Sequence, residues 1–215
     1  MSPEFNRRGC DSSALKEHPA IWRGRGAARF EALASGFAAL DEWLPGRGWP
    51  RSGLIEILAA RFGSGELYLL LPALAVLTRA AAARWCVWVA PPLMPFAPAL
   101  AAAGLALDRV AVVGGALWAF EQVLGSGACD AALAWVRQPK PRELRRLQLA
   151  AERGRTLGVL FRPRSAAREA SPAVLRLGLT PLAAGVRVTL LKGRGAVRDA
   201  IELSWPPGTP GRTRG

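Results

Sequence analysis

The stretch Ile57-Leu-Ala-Ala-Arg-Phe-Gly-Ser-Gly-Glu-Leu-Tyr-Leu-Leu-Leu-Pro72 has the punctuation of a phosphate-binding loop: a buried strand ending, a glycine-bearing turn, then an apolar helix start. A working loop needs successive backbone N–H groups facing the phosphates, a lysine that reaches the β and γ phosphates, and a Ser or Thr hydroxyl for magnesium. Arg61, Phe62, Gly63, Ser64, Gly65 and Glu66 supply the turn alone. The lysine position falls on Gly65 or Glu66 and the hydroxyl position on Glu66 or Leu67. A carboxylate at Glu66 faces polyphosphate with like charge, a cost rather than a gain. The expectation is a degenerate loop kept as a strand-to-helix turn, with no cofactor and no metal.

Outward from this turn, apolar runs of four to seven residues alternate with segments of helical length, the pattern of parallel β-α-β units with helices on both sheet faces. Strands are predicted at 54–59, 85–90, 109–113, 131–136 and 157–161. A C-terminal pair at 186–191 and 200–205 is spaced as an antiparallel hairpin across Gly193 and Gly195. Helices are predicted at about 65–83, 95–103, 116–126 and 141–153. The fold class is α/β: a doubly wound, mainly parallel sheet in three layers, with antiparallel C-terminal edge strands. Residues 31–205 form the core domain. Residues 1–30 read as a basic, partly flexible arm, and 206–215 as a disordered basic tail.

The chain has 215 residues, 51% of them hydrophobic, a net charge of +13 and a sequence pI near 11.4. That composition fits one domain with a sizeable core and excludes disorder over most of the length. The charge points toward polyanions or acidic protein surfaces, or reflects an arginine-rich genome. Three widely separated cysteines without a C-x-x-C pair indicate neither a zinc site nor a disulfide framework. His18, the single histidine, has no cluster of ligands near it. The N-terminus lacks an apolar h-region and the longest apolar run, Leu67 to Leu77, is too short for a bilayer, so the reading is cytoplasmic, with no membrane partner.

Two other positions needed for nucleotide hydrolysis carry no acid. The strand 131–136 should end on a magnesium-holding carboxylate and has Trp135; the strand 85–90 should lead to a water-activating acid and meets Pro91-Pro92. With lysine, metal ligand and base all missing, the chain is read as a non-enzyme without catalytic residues.

Residues 137–168 hold ten Lys or Arg against two acids. On a helix, Arg142, Arg145, Arg146 and Arg153 share one face and Leu144, Leu147 and Ala151 the other. Arg162, Arg164 and Arg168 follow at the edge where open α/β sheets place ligands. This basic face suits phosphate contacts to DNA, an acidic partner surface, or plain solvent. Trp85, Trp88 and Trp135 are expected in the core; Trp22, Trp43 and Trp49 are either interface anchors or local packing.

Ser35-Gly-Phe-Ala-Ala-Leu-Asp41 followed by Gly48-Trp-Pro-Arg-Ser-Gly-Leu-Ile-Glu-Ile57 resembles the opening of the RecA recombinase core. More specifically, His18-Pro-Ala-Ile-Trp-Arg23, Gly65-Glu-Leu-Tyr-Leu-Leu-Leu-Pro-Ala-Leu74, Ala90-Pro-Pro-Leu-Met-Pro-Phe-Ala-Pro-Ala-Leu100, Leu117-Trp-Ala-Phe-Glu-Gln122 and Ser171-Pro-Ala-Val-Leu-Arg-Leu177 are similar to the ImuA family, RecA-like accessory proteins of translesion synthesis, sometimes labelled SulA-like. The similarity runs over about residues 18–195. It implies a damage-inducible, SOS-response adaptor for induced mutagenesis and DNA repair, associated with the nucleoid on damage. Its partners would be an ImuB-like Y-family protein, RecA and an error-prone DNA polymerase III alpha subunit, with self-association left open. A second implied reading is a SulA-type inhibitor of cell division that binds the tubulin-like division protein. RecA's nucleotide-sensing glutamine aligns with Arg162.

Overall fold

The computed structural model describes residues 32–63, 65–115, 117–193 and 200–205. The arm at 1–30, the tail at 206–215, Trp22 and Ser64 therefore lie outside the described residues. Among the described residues, ten strands and five α-helices follow in the order β1 (Ala32–Leu33), α1 (Ala38–Trp43), β2 (Trp49–Pro50), β3 (Gly53–Ala59), α2 (Leu71–Arg79), β4 (Trp85–Val89), α3 (Ala97–Ala102), β5 (Val110–Val113), α4 (Leu117–Gly125), β6 (Cys129–Trp135), α5 (Pro141–Gly154), β7 (Leu157–Pro163), β8 (Leu175–Leu182), β9 (Gly185–Lys192) and β10 (Ile201–Ser204).

The main sheet has the order β10-β9-β8-β3-β7-β6-β4-β5. Pairing is parallel from β8 through β5. It is antiparallel at β8-β9 and β9-β10. The chain is thus α/β, with a mainly parallel sheet and antiparallel edge strands. A separate short ladder joins β1 to β2.

Strand β3 is buried at every position, as a central strand covered on both faces must be. Its side chains alternate between two cores. Ile55 and Ile57 join Leu69, Leu70, Leu74 and Leu77 of the α2 region and Leu100 of α3. Leu54 joins Phe120 and Leu124 of α4 and Leu144, Leu147 and Ala151 of α5 on the opposite face. Each fully buried Leu or Ile contributes about 1.5–3 kcal/mol.

The Ser35 to Asp41 motif is a local fold. The Asp41 carboxylate accepts from the Ser35 N–H at 2.9 Å, the Phe37 N–H donates to Ser35 Oγ at 3.1 Å, and Leu40 is fully buried beneath.

Three expectations are corrected. The helix predicted from residue 65 begins as turns and becomes regular only at Leu71. The strand predicted to end at 161 runs on to Pro163. Strand β8, which lies beside β3 at the centre of the sheet, was not foreseen: Gly178 and Pro181 interrupt its sequence, yet it pairs with β3 on one side and β9 on the other. Among the described residues no helix is long and apolar enough to cross a membrane.

Candidate interaction surface

The loop after β3 stands at the carboxyl end of the central parallel strand, where α/β sheets bind ligands. Glu66 is 2% exposed, and its Oε1 accepts from the Gly63 N–H at 2.6 Å. The carboxylate thus takes one of the backbone donors that an anion would use. Gly65, at φ +97°, lies in the left-handed region, and a Cβ there would stand 3.4 Å from the Trp205 indole. Trp205, just past β10, meets Tyr68 edge-on with centroids 4.6 Å apart, and Phe37 lies 6.2 Å from the same indole. The turn is closed by the chain's own carboxylate and aromatics.

The α5 arginines share a face, but Arg162, Arg164 and Arg168 do not extend it. Arg142, Arg145, Arg146 and Arg153 are exposed on α5, and Leu144, Leu147 and Ala151 are buried behind them. Arg146 grips Glu121 of α4 through two bonds, at 3.0 and 2.5 Å. Arg164 is tied to β8, donating to the Leu179 carbonyl at 3.3 Å and to Thr180 Oγ1 at 2.5 Å. Arg168 is exposed in the 3-10 turn Arg164–Arg168.

Arg162 is corrected outright: it is fully buried, not a surface contact. Because β7 extends through it, its side chain points into the sheet face that also carries Glu56. Arg162 Nη1 donates to Glu56 Oε1 at 3.3 Å, and Nη2 to Glu169 Oε2 at 2.6 Å. Arg176 of β8 donates to Glu56 Oε2 at 2.5 Å, and its two Nη atoms go to the Glu169 and Ala166 carbonyls. Ser171 Oγ donates to Glu56 Oε1 at 2.9 Å. Lys192 caps the cluster at the Ser171 carbonyl; burial and the nearby Arg176 charge lower its pKa, while Glu56 acts the other way. A buried charge persists only when so partnered.

Trp49 is also corrected as an interface anchor. It is fully buried, because its pairing with Leu33 turns the ring into the α2-side core. Trp43 is half-buried against that core. Trp88 is in the core as expected, whereas Trp85, the first residue of β4, is 42% exposed.

The sequence reading missed an apolar rim. Leu93, Met94 and Phe96 are 79%, 78% and 70% exposed, and Trp118 is 67% exposed. The first three lie between β4 and α3 in a segment holding Pro91, Pro92 and Pro95, which suppress regular structure. Trp118 opens α4 after β5. Strands β4 and β5 are parallel neighbours, with Val89 opposite Val113, so the two connections leave the sheet side by side at its carboxyl end. Large apolar side chains exposed together on one connection, as Leu93, Met94 and Phe96 are, mark interaction sites; Trp118 stands at the same end of the sheet, on the helix that packs on the opposite face. Proline density amid large apolar residues was the available signal.

No family model matches the chain. A curated relative from Edwardsiella piscicida, "Cell division inhibitor SulA", is 33% identical over 119 residues, covering 53% of this chain and 70% of that protein. A second protein of that name, from Photorhabdus laumondii, is 32% identical over 102 residues, covering 45% of this chain and 58% of its own length. Among solved structures, SulA from Pseudomonas aeruginosa overlays with a TM-score of 0.43 at 23% identity, covering 51% of this chain and 97% of that one. Both curated relatives are named for inhibition of cell division. This overturns the expected translesion adaptor, and with it the expected ImuB-like, RecA and polymerase partners; neither relative supports ImuA specifically.

Proposed function

Since this chain belongs to the SulA family of cell division inhibitors, we propose that it blocks division by binding the tubulin-like division protein, without catalysis. The observation that carries the reading is the 33% identity across 70% of a protein named for that activity. The SOS-inducible setting is part of the same proposal.

The docking site is assigned to the rim of Leu93, Met94, Phe96 and Trp118. Four large side chains at 67–79% exposure have the aromatic and Met content of interface cores rather than of ordinary surface. The absence of catalysis is supported by the Glu66 carboxylate at the Gly63 N–H, which sets like charge against any polyphosphate. A RecA-like assignment of the fold is supported by the place of this turn, directly after the central strand β3.

Controlled expression in rod-shaped bacteria carrying the cognate division protein tests the reading. Wild type should produce filaments, and Leu93→Asp with Phe96→Asp should restore short cells at equal protein level. Purified chain should reduce sedimentable polymer of the division protein, and titration with magnesium ATP should give no saturable signal. Normal cell length at high wild-type level sinks the inhibitor reading; saturable ATP binding sinks the account of the loop.

A further inference from the structure

The outer face of α5 has a composition that neither the core nor the rim uses. Leu149 is 55% exposed at its middle. Arg142, Arg145, Arg146 and Arg153 stand at i−7, i−4, i−3 and i+4 from it, the positions that surround a residue on a helix surface. The nearby acids are occupied within the fold. Glu143 Oε2 accepts from the Lys140 N–H at 2.6 Å at the helix start. Glu152 Oε1 accepts from Gln148 Nε2 at 2.7 Å. Glu121 holds Arg146, which fixes one guanidinium of the ring before any partner arrives.

An apolar centre ringed by arginines is the anatomy of a protein-binding hot spot, since Arg is enriched there and a desolvated apolar contact supplies much of the energy. A phosphate backbone would draw on the arginines and leave Leu149 without a role. We propose that this face is a second docking surface, separate from the rim, and that it takes an acidic amphipathic polypeptide segment: a helix that places one apolar residue on Leu149 and carboxylates on the guanidiniums of Arg142, Arg145 and Arg153. Arg forks pair carboxylates bidentately, which gives the complex its register.

The test uses the full chain and three probes: a synthetic helical peptide with leucines flanked by glutamates, poly-glutamate of equal length, and duplex DNA. The peptide should bind most tightly. Leu149→Asp, and separately Arg142→Glu with Arg145→Glu and Arg153→Glu, should each weaken it about tenfold or more. Leu149→Ala, milder toward folding, should weaken the peptide and leave poly-glutamate binding unchanged. All variants should still filament cells, because the rim is intact. Equal affinity for poly-glutamate, tighter binding of DNA, or unchanged peptide binding by the variants overturns the proposal. Loss of filamentation by a folded α5 variant overturns the separation of the two surfaces.

Discussion

Glu56 and Arg176 sit opposite each other on adjacent parallel strands, β3 and β8, and Arg176 Nε donates to Glu56 Oε2 at 2.5 Å with both side chains withdrawn from water. Arg162 reaches the other carboxylate oxygen from β7. One carboxylate thus joins three neighbouring strands. Glu56→Ala takes the shared carboxylate from two buried guanidiniums, which keep only their bonds to Glu169 and Ala166, and Arg162→Ala removes one partner of a buried pair. Each should cost about 3–5 kcal/mol, with Glu56→Ala the larger loss, as measured by urea unfolding. A surface role for Arg162 predicts a change within about 0.5 kcal/mol instead.

Glu66 should behave as an internal cap. Glu66→Leu leaves the Gly63 N–H without its acceptor and should cost about 1–3 kcal/mol. Glu66→Gln keeps an acceptor oxygen and should cost less than half as much. Equal losses for the two variants in parallel thermal melts refute capping as the role of this side chain.

Gly36 has φ +86°, and a Cβ there would come within 2.3 Å of Pro72 Cβ. Gly36→Ala therefore combines left-handed strain, about 1–3 kcal/mol, with a clash against the rigid ring in the first turn of α2. The expected result is a lower urea midpoint with an unchanged m-value. A midpoint equal to that of wild type contradicts the geometry.

Burial pushes the Cys86 thiol from an ordinary value near 9 up to about 12, and burial likewise raises Cys129. At pH 8 the Cys86 thiolate is only about 1 part in 10⁴. Iodoacetamide at that pH should label neither cysteine in the native chain and both in urea, as read by peptide mass mapping. The unfolded thiol ionises at lower pH than the folded one. Stability from Cys86 is therefore complete below about pH 9 and declines as pH rises from there toward 12.

The sheet was legible where pattern and period agree. The apolar residues on either side of Glu56 announced strand β3, and the phase of Leu144, Leu147 and Ala151 announced the packed side of α5. Strand β8 was hidden because Gly178 and Pro181 are poor strand residues in isolation, and its place depends on partners far away in sequence. Arg162 was misread for a related reason. An arginine two residues before another arginine resembles a solvated edge, and only the carboxylate on the neighbouring strand reveals that it lies inside. The rim was invisible to periodicity, since Leu93, Met94 and Phe96 belong to no helix or strand. Functionally, the degenerate turn could not choose between the translesion and the division-inhibitor readings, which share it.

Strand β3 carries a consequence for biosynthesis. Its neighbours are β7 and β8, and the Glu56–Arg176 bond spans 120 positions of chain. Until that stretch has left the ribosome, β3 has an open edge and an uncompensated carboxylate on an otherwise apolar strand. Contacts so distant in sequence make closure of the sheet a late event. Translation pauses before β8 should therefore lengthen the interval in which the nascent chain needs a chaperone.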